Sequence, residues 1–364
     1  MNKLVKRIFL AVAILLAAVA CERRPLLDQS EAVRIKIKVN VKAVTNVNTN
    51  IRSSVRLYGT NTTLWDPKIE QLDPQMMRVL VYDPDSEKLL AQSFITSTEV
   101  DEEGNKVFNG NLGISHGNYN FLVYNFDTPT TQVTAENNEA SILAYTNEIS
   151  SALKARYLGT KADTEYEDIS IRYEPEHLLV ANEKDVRISP HDTLVVVETV
   201  ANTIVDTYYL QVRVKGMQFA SSATAVISGL SPSNHIGYNE RTVDPTAAVV
   251  FEMQKGQDLS LDGDNKDVLC AVFNTFGKIK ETSSNLYVTF NVFDTAGNLL
   301  QYTANLDTVF NTEEAILYHW LIVDESCLVI DIPDPQGGEH PQTGNGGFQP
   351  QVDDWEEETG EISL

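Results

Sequence analysis

One stretch of this chain carries the letters of a hydrolase. Gly113-Ile114-Ser115-His116-Gly117 fits G-x-S-x-G, in which a strained strand-to-helix turn lifts a serine hydroxyl over a sheet. The residues that follow, Asn118 to Phe126, read as a strand instead of a helix, so a hairpin turn explains the glycines better. Asp262 to Asp267 (DGDNKD) resembles a calcium loop. Lys266 stands at its fifth position and Phe273 at its twelfth, where an EF-hand needs oxygen ligands and a bidentate glutamate. A solvated turn is the better reading. His116, His177, His191, His235, His319 and His340 are scattered, with no HExxH and no glycine-rich phosphate loop after a strand. In LYHWLIV, His319 and Trp320 read as packing residues. These residues supply no catalytic set, no cofactor and no metal ligands, and the expectation is a protein that is not an enzyme.

The cysteines hold the remaining chemistry. Lys3, Lys6 and Arg7 form a positive n-region, and Ile8 to Ala20 is a 13-residue apolar run. That is too short to cross a ~30 Å hydrocarbon core and suits a secretory signal. Ala18-Val19-Ala20-Cys21 resembles the lipobox of bacterial lipoproteins, which implies cleavage before Cys21 and acylation of its thiol. Residues 1–20 are then the signal peptide and 21–30 a lipidated linker. Several acyl chains make such an anchor stable, at about 0.8 kcal/mol per buried methylene. Export leaves Cys270 and Cys327 free to form a disulfide. Both sit in apolar runs, VLCAVF and SCLVI, so two buried thiols are the alternative.

The elements around these residues are strands. In VRIKIKVNV, Val33, Ile35, Ile37, Val39 and Val41 point one way, and Arg34, Lys36, Lys38 and Asn40 the other. That is a half-buried strand. Met77–Tyr82 and Leu89–Ile95 flank Asp83 to Lys88 (DPDSEK) as a hairpin. Tyr119, Phe121 and Val123 share a face of the strand Gly117–Phe126. Asn147–Tyr157 is the helix candidate, with Ile149, Leu153 and Arg156 on one side. Val44–Gln75 lacks periodicity and reads as an irregular excursion.

Later strands are Leu194–Val200, Tyr208–Val214 (Tyr208, Leu210, Val212 and Val214 on one face, Tyr209, Gln211 and Arg213 on the other), Ala223–Gly229, Ala247–Phe251, Leu286–Val292 (Leu286, Val288, Phe290 and Val292 on one face) and Leu300–Leu306. Strands at this spacing argue for β-sandwiches. Turn residues at Ser189–Asp192 suggest a division into domains 31–190 and 191–335. Residues 336–364 change character, with a Gly/Pro-rich linker and then QVDDWEEE. This is a flexible C-terminal extension. It is either a solvated acidic tail or a segment whose Phe348, Val352 and Trp355 dock elsewhere.

Composition narrows the partners. The chain holds 51 acids against 28 Lys and Arg, a formal charge of -23, and its hydrophobic fraction of 42% can fill real cores. Such a charge repels nucleic acid and bare anionic lipid. Three tripeptides, Asp192-Thr193-Leu194, Asp294-Thr295-Ala296 and Asp307-Thr308-Val309, resemble a D-(S/T)-aliphatic O-glycosylation acceptor.

A wider resemblance covers nearly all of the chain after Cys21. CERRPL (21–26), GNYNFLVYNF (117–126), PEHLLVANE (175–183), the block VETVANTIVDTYYLQVRVKGMQFASSATAVISGL (197–230) and GGFQPQVDDWEEE (346–358) resemble the FimB-type anchor subunits of type V, fimbrillin-like, pili. The resemblance implies two tandem transthyretin-like (Greek-key) β-sandwiches, an all-β fold. It implies a protein lipid-anchored in the outer membrane and facing the cell surface, holding the base of a pilus. Its partners would be fimbrillin-like pilin subunits, and the outer membrane through lipid. Shaft subunits of such pili lose an N-terminal strand, and a neighbour's extended segment fills the groove by β-strand addition.

Here the strand Val33–Val41 follows Cys21 so closely that removing it would remove the lipid. It is expected to stay and fill its own sandwich, while Phe348 to Trp355 is the candidate donor. One departure is Glu22-Arg23-Arg24, where surface-exported lipoproteins of this type often carry acids. A surface carbohydrate-binding lipoprotein and a tip adhesin are the competing functions. Trp65, Trp320 and Trp355 are few for a glycan platform, and the extension argues against a tip subunit.

Overall fold

The computed structural model describes residues 33–41, 55–57, 73–102, 104–126, 128–158, 170–243, 245–258, 266–279 and 286–336. The first strands are β1 (Val33–Val41), β2 (Val55–Leu57), β3 (Met77–Tyr82), β4 (Leu89–Ile95), β5 (Ser97–Val100), β6 (Lys106–Ile114), β7 (Gly117–Asn125), β8 (Thr131–Thr134) and β9 (Leu143–Thr146). Helix α1 (Ser151–Leu158) precedes β10 (Ser170–Arg172), β11 (Leu179–Ile188), β12 (Leu194–Thr203) and β13 (Asp206–Lys215). Next come β14 (Ala220–Leu230), β15 (Ser233–His235), β16 (Glu240–Arg241), β17 (Ala247–Asp258), β18 (Lys266–Thr275), β19 (Tyr287–Asp294) and β20 (Leu299–Asn305). Helix α2 (Glu313–Tyr318), β21 (Trp320–Val323) and β22 (Val329–Asp331) complete the described chain.

The fold is all-β, with two sandwiches in tandem. The first sheet has the order β4-β3-β7-β11-β12-β1-β6-β5. β11 and β12 share only the pairs Leu179↔Thr203 and Val180↔Asn202, so the sheet turns there into two facing layers. Between them lie Ile35, Ile37 and Val39 of β1, Met77, Val79 and Val81 of β3, Phe108 of β6, and Phe121 and Val123 of β7. The expected hairpin β3–β4 forms, paired from Met77↔Ile95 to Tyr82↔Leu89 with a shift between Val81 and Tyr82. Asp83 makes its turn by accepting the backbone N–H groups of Asp85 and Ser86 at 3.0 and 2.8 Å, the Asx pattern that makes Asp a turn former.

The second sheet runs β20-β19-β14-β17-β18-β13-β21, with β22 also on β13. Strand β17 turns its corner, pairing β14 up to Met253 and β18 from Gln254 onward. The core between its layers takes Tyr208, Leu210, Val212 and Val214 from β13 and Val288, Phe290 and Val292 from β19. These are the faces that alternation predicted.

The division between the sandwiches differs from the expected one. Strand β12 lies parallel to β1, Arg34↔Leu194 through Val41↔Ala201, and Val197 and Ala201 enter the first core. The first sandwich therefore runs to Thr203, and the joint is Ile204–Val205. Ser189–Asp192 is the turn that joins β11 to β12 within the first sandwich, closed by Ser189 N–H on Asp192 Oδ2 at 2.7 Å. Turn chemistry marks a connection within a sandwich as readily as a linker between two.

Two short strands cross between the halves. β10 pairs with Ala247–Val249 of β17, and β2 with Gly256–Asp258 of the same strand. Helix α1 starts later than expected, and Leu153 and Tyr157 pack with Ile149, Ile171, Val226, Ala248 and Val250 of the second sandwich. Arg156 is exposed. A four-stranded sheet, β16-β15-β9-β8, draws two strands from each half.

Candidate site of subunit attachment

The residues expected to do the work fall into three groups. Val33, Ile35, Ile37, Val39 and Val41 are all buried, at 6% exposure or less. They lie between β12 on one side and β6 on the other. Burying five such side chains contributes on the order of 10 kcal/mol gross at ~2 kcal/mol each. The outward side chains of β1 remain polar, and Lys38 meets Glu198 of β12 at 2.5 Å. Cys21 and the candidate donor residues Phe348, Val352 and Trp355 lie outside the described residues, as do Trp65 and Asp262–Asn265.

The disulfide option is corrected. Cys270 and Cys327 are both free thiols. Cys270 sits on the outer side of β18, buried with Tyr209 and Val268 under Trp320 and Ile322, and burial pushes its thiol up to about 12. Cys327 is exposed, not buried, in the turn after β21, its N–H held by Asp324 Oδ1 at 2.9 Å. The two thiols belong to different surroundings, and neither is poised for oxidation.

The G-x-S-x-G segment is the β6–β7 turn. Tyr119 donates its hydroxyl to the carbonyl of Ser115 at 3.1 Å, and no helix follows. His319 stacks on Tyr208, with ring centroids 4.6 Å apart, which is the packing role expected of it. Trp320 leans on Tyr318 at 4.8 Å. Among the described residues no group of three His, Cys, Asp or Glu is arranged to hold a metal, and no helix is long and apolar enough to cross a membrane.

A feature that sequence reading missed is the joint. Leu80, Tyr82, Leu122 and Tyr124 form the outer face of β3 and β7. They pack with Ile142, Ala144, Ile204, Val205, Ile236 and Phe276 in one apolar cluster. Polar links surround it. Glu139 is fully buried and takes the Lys184 ammonium, while Asn120 donates to its other oxygen at 2.7 Å. Lys184 also reaches the carbonyl of Gly237 at 2.8 Å. Gly237 has to be glycine, because a Cβ there would stand 2.0 Å from the Glu139 carbonyl oxygen. Tyr238 donates to Glu87 at 2.5 Å.

Two titrating groups on the other side of the joint oppose each other. His177 lies between Thr203 at 2.8 Å and Thr207 at 3.0 Å, and burial pushes its imidazole down from 6.5 to about 4. Glu174 accepts the Asn274 N–H at 2.9 Å. Burial raises its carboxyl from 4.5 to about 7 despite that bond. As pH falls from 6.5 to 4 the unfolded chain gains a proton at His177 that the folded chain refuses, so stability drops. As pH falls from 7 to 4.5 the folded chain gains one at Glu174 first, so stability rises. His177→Gln should therefore show a Tm that rises on acidification from pH 7 to 5, and Glu174→Gln one that falls. Parallel Tm profiles for the two variants would refute this pairing.

Comparison with known proteins gives a consistent set. The model of a family described as "Domain of unknown function (DUF5119)" matches residues 62–252. A candidate fimbrium anchoring subunit of Bacteroides ovatus, Fim4B, is 23% identical over 267 residues, which cover 73% of this chain. The match reaches only 63% of that relative's length. The crystal structure of a candidate adhesin from Bacteroides ovatus has a TM-score of 0.57 at 17% identity, covering 87% of this chain and 98% of that one. That is a likeness of fold. The fimbrial anchor protein Mfa2 from Porphyromonas gingivalis aligns with a TM-score of 0.44 at 10% identity over 79% of this chain and 88% of its own.

Proposed function

This chain belongs to the DUF5119 family, and on that premise we propose that it is a fimbrial subunit, lipid-anchored through Cys21 in the outer membrane, that holds the base of a surface pilus. The observation that carries this reading is β1. Its apolar face fills its own sandwich, twelve residues after the candidate lipid attachment, between β6 and β12. A subunit that keeps β1 has no vacant groove there for a neighbour's strand. A strand and a lipid on one short stretch are kept or lost together, so such a subunit suits an end of a pilus and not its interior.

Attachment then falls to the other end of the chain. Phe348 to Trp355 acts as a donor, added as a strand to the neighbouring subunit across the Gly/Pro-rich linker. Main-chain hydrogen bonds supply the zipper, and Phe348, Val352 and Trp355 fill pockets. The candidate anchoring subunit among its relatives supports this role, and the role is structural, without catalysis.

Deleting residues 337–364 should abolish retention of fimbrial subunits. The remaining protein should stay folded and lipidated, with Tm unchanged. The measurement is co-purification from detergent-solubilised outer membrane with a tagged, lipidated chain. Undiminished recovery by the deletion would remove the donor role, and no recovery by the intact chain would remove the reading as a whole.

A further inference from the structure

Helix α2 is built the wrong way round for a helix that only packs. Thr312 caps it, its hydroxyl accepting the Ala315 N–H at 3.2 Å, and Glu313 and Glu314 occupy its first turn. Of its six residues only Ala315 enters the core. Ile316 and Leu317 point to solvent at 63% and 56% exposure. Two adjacent aliphatics this bare are an interaction signal when they adjoin more apolar surface. They do, since the Tyr318–Trp320 ring pair follows directly. Trp320 opens β21, which ends the order of its sheet and has β13 as its strand neighbour among the described residues.

The candidate donor leaves from the same border. β22 continues along β13 after β21, and Ile332 N–H still bonds the Lys215 carbonyl at 3.0 Å. Trp320 is level with Tyr209 and Asp331 with Lys215. That spacing is about 20 Å along the strand at ~3.3 Å per residue. From Gln336 to Phe348 the chain can span at most about 40 Å. A subunit gripping Phe348 to Trp355 is thus held within reach of α2.

We propose that the ridge formed by α2 and β21 is a second docking surface for the fimbrial subunit that takes the donor segment, and that this subunit offers an apolar hollow ringed by cations. The inference rests on the reading above. The cations follow from charge complementarity. Glu313 and Glu314 rim the ridge and are exposed, and Asp353, Asp354 and Glu356 to Glu358 accompany the donor. Like charge on the partner would oppose both contacts, while unlike charge steers and registers them.

The test begins with the subunit that the wild-type lipidated chain recovers from solubilised outer membrane, identified by peptide sequencing and purified. Its affinity is then measured for wild type, Ile316→Ser/Leu317→Ser, Glu313→Gln/Glu314→Gln and the chain lacking 337–364. The first double variant should bind about tenfold more weakly at unchanged Tm. The glutamine variant should lose part of the salt dependence. Ile316→Ala/Leu317→Ala should show the same loss in smaller degree. Wild-type affinity in the serine and alanine variants, with binding lost on removing 337–364, would overturn the ridge and leave the donor reading intact. Recovery of no fimbrial subunit by the wild-type chain would overturn both.

Discussion

Ile37→Asp should cost the first sandwich more than about 4 kcal/mol, enough to unfold a typical domain of marginal stability. Ile37 is 1% exposed and lies level with Val197 of β12 and Gly110 of β6. Its surroundings among the described residues are Met, Val, Ile, Phe and Tyr side chains, which offer nothing to meet a carboxylate. There is no slack either, since a Cβ added at Gly110 would stand 2.5 Å from the Ile95 side chain. An aspartate would be an unpaired charge in a closed core, among the most destabilising changes known. Lys36→Gln is the matched control. It changes the next residue on the outward face and should shift stability by about 0.5 kcal/mol at most. Urea unfolding followed by circular dichroism reads both. An Ile37→Asp midpoint equal to wild type would show that β1 does not fill the groove. A second arm tests the groove directly, because a chain that begins after Val41 should regain stability when a peptide of residues 31–43 is added.

This strand was legible in the sequence because one of its faces is polar. Strict alternation survives only where one side of a sheet meets water. It failed as a guide to β7 and β13. Tyr119, Phe121 and Val123 face the core as expected, but Leu122 and Tyr124 on the other face are buried as well. Tyr209 and Gln211, read as the outward face of β13, are also covered. The joint covers the far side of β7, and Trp320 and Ile322 of the neighbouring strand β21 pack against that of β13.

Long-range pairing was the least legible. Nothing in Leu194–Val200 announces that it will lie beside Val33–Val41, 160 residues away, and parallel to it. β2 and β10 have three residues each, too few to carry a period. Their partner β17 could supply no hint, because a strand that turns the corner between two layers is buried along most of its length. The exposed pair Ile316–Leu317 was visible as letters in EEAILY, but their exposure depends on the single turn that points Ala315 inward.

Lys184→Met should cost about 3 kcal/mol, and Glu139→Gln added to it should return most of that. The reason lies in a bulge. The β7–β11 register slips between Glu183 and Val186, and Asp185 takes a left-handed φ of 55°. The slip swings Lys184 off the sheet to Glu139 of its own half and, across the joint, to the Gly237 carbonyl and the ring of Tyr238, 4.5 Å from its centroid. Glu139 has a fully buried side chain. Without the ammonium its carboxylate keeps, among the described residues, Asn120 alone, a charge left in low dielectric with half its partners. Removing one member of such a pair usually costs 3–5 kcal/mol. Lys184 retains some contact with water, which places the loss at the low end.

The double variant replaces charge by amide, which Asn120 and the backbone can still satisfy. The coupling between the two substitutions, read from a double-mutant cycle of urea midpoints, should be at least 1 kcal/mol. Additive losses would mean that the buried carboxylate does not depend on the ammonium. The consequence reaches the proposed role. A subunit held by lipid at the first sandwich and by a donor segment beyond the second carries any pull on the pilus through this joint. The contacts of Lys184 with Gly237 and Tyr238, the apolar cluster and the exchanged strands β2 and β10 tie the two halves together, so Lys184→Met should shed fimbriae under shear while still binding their subunits at rest.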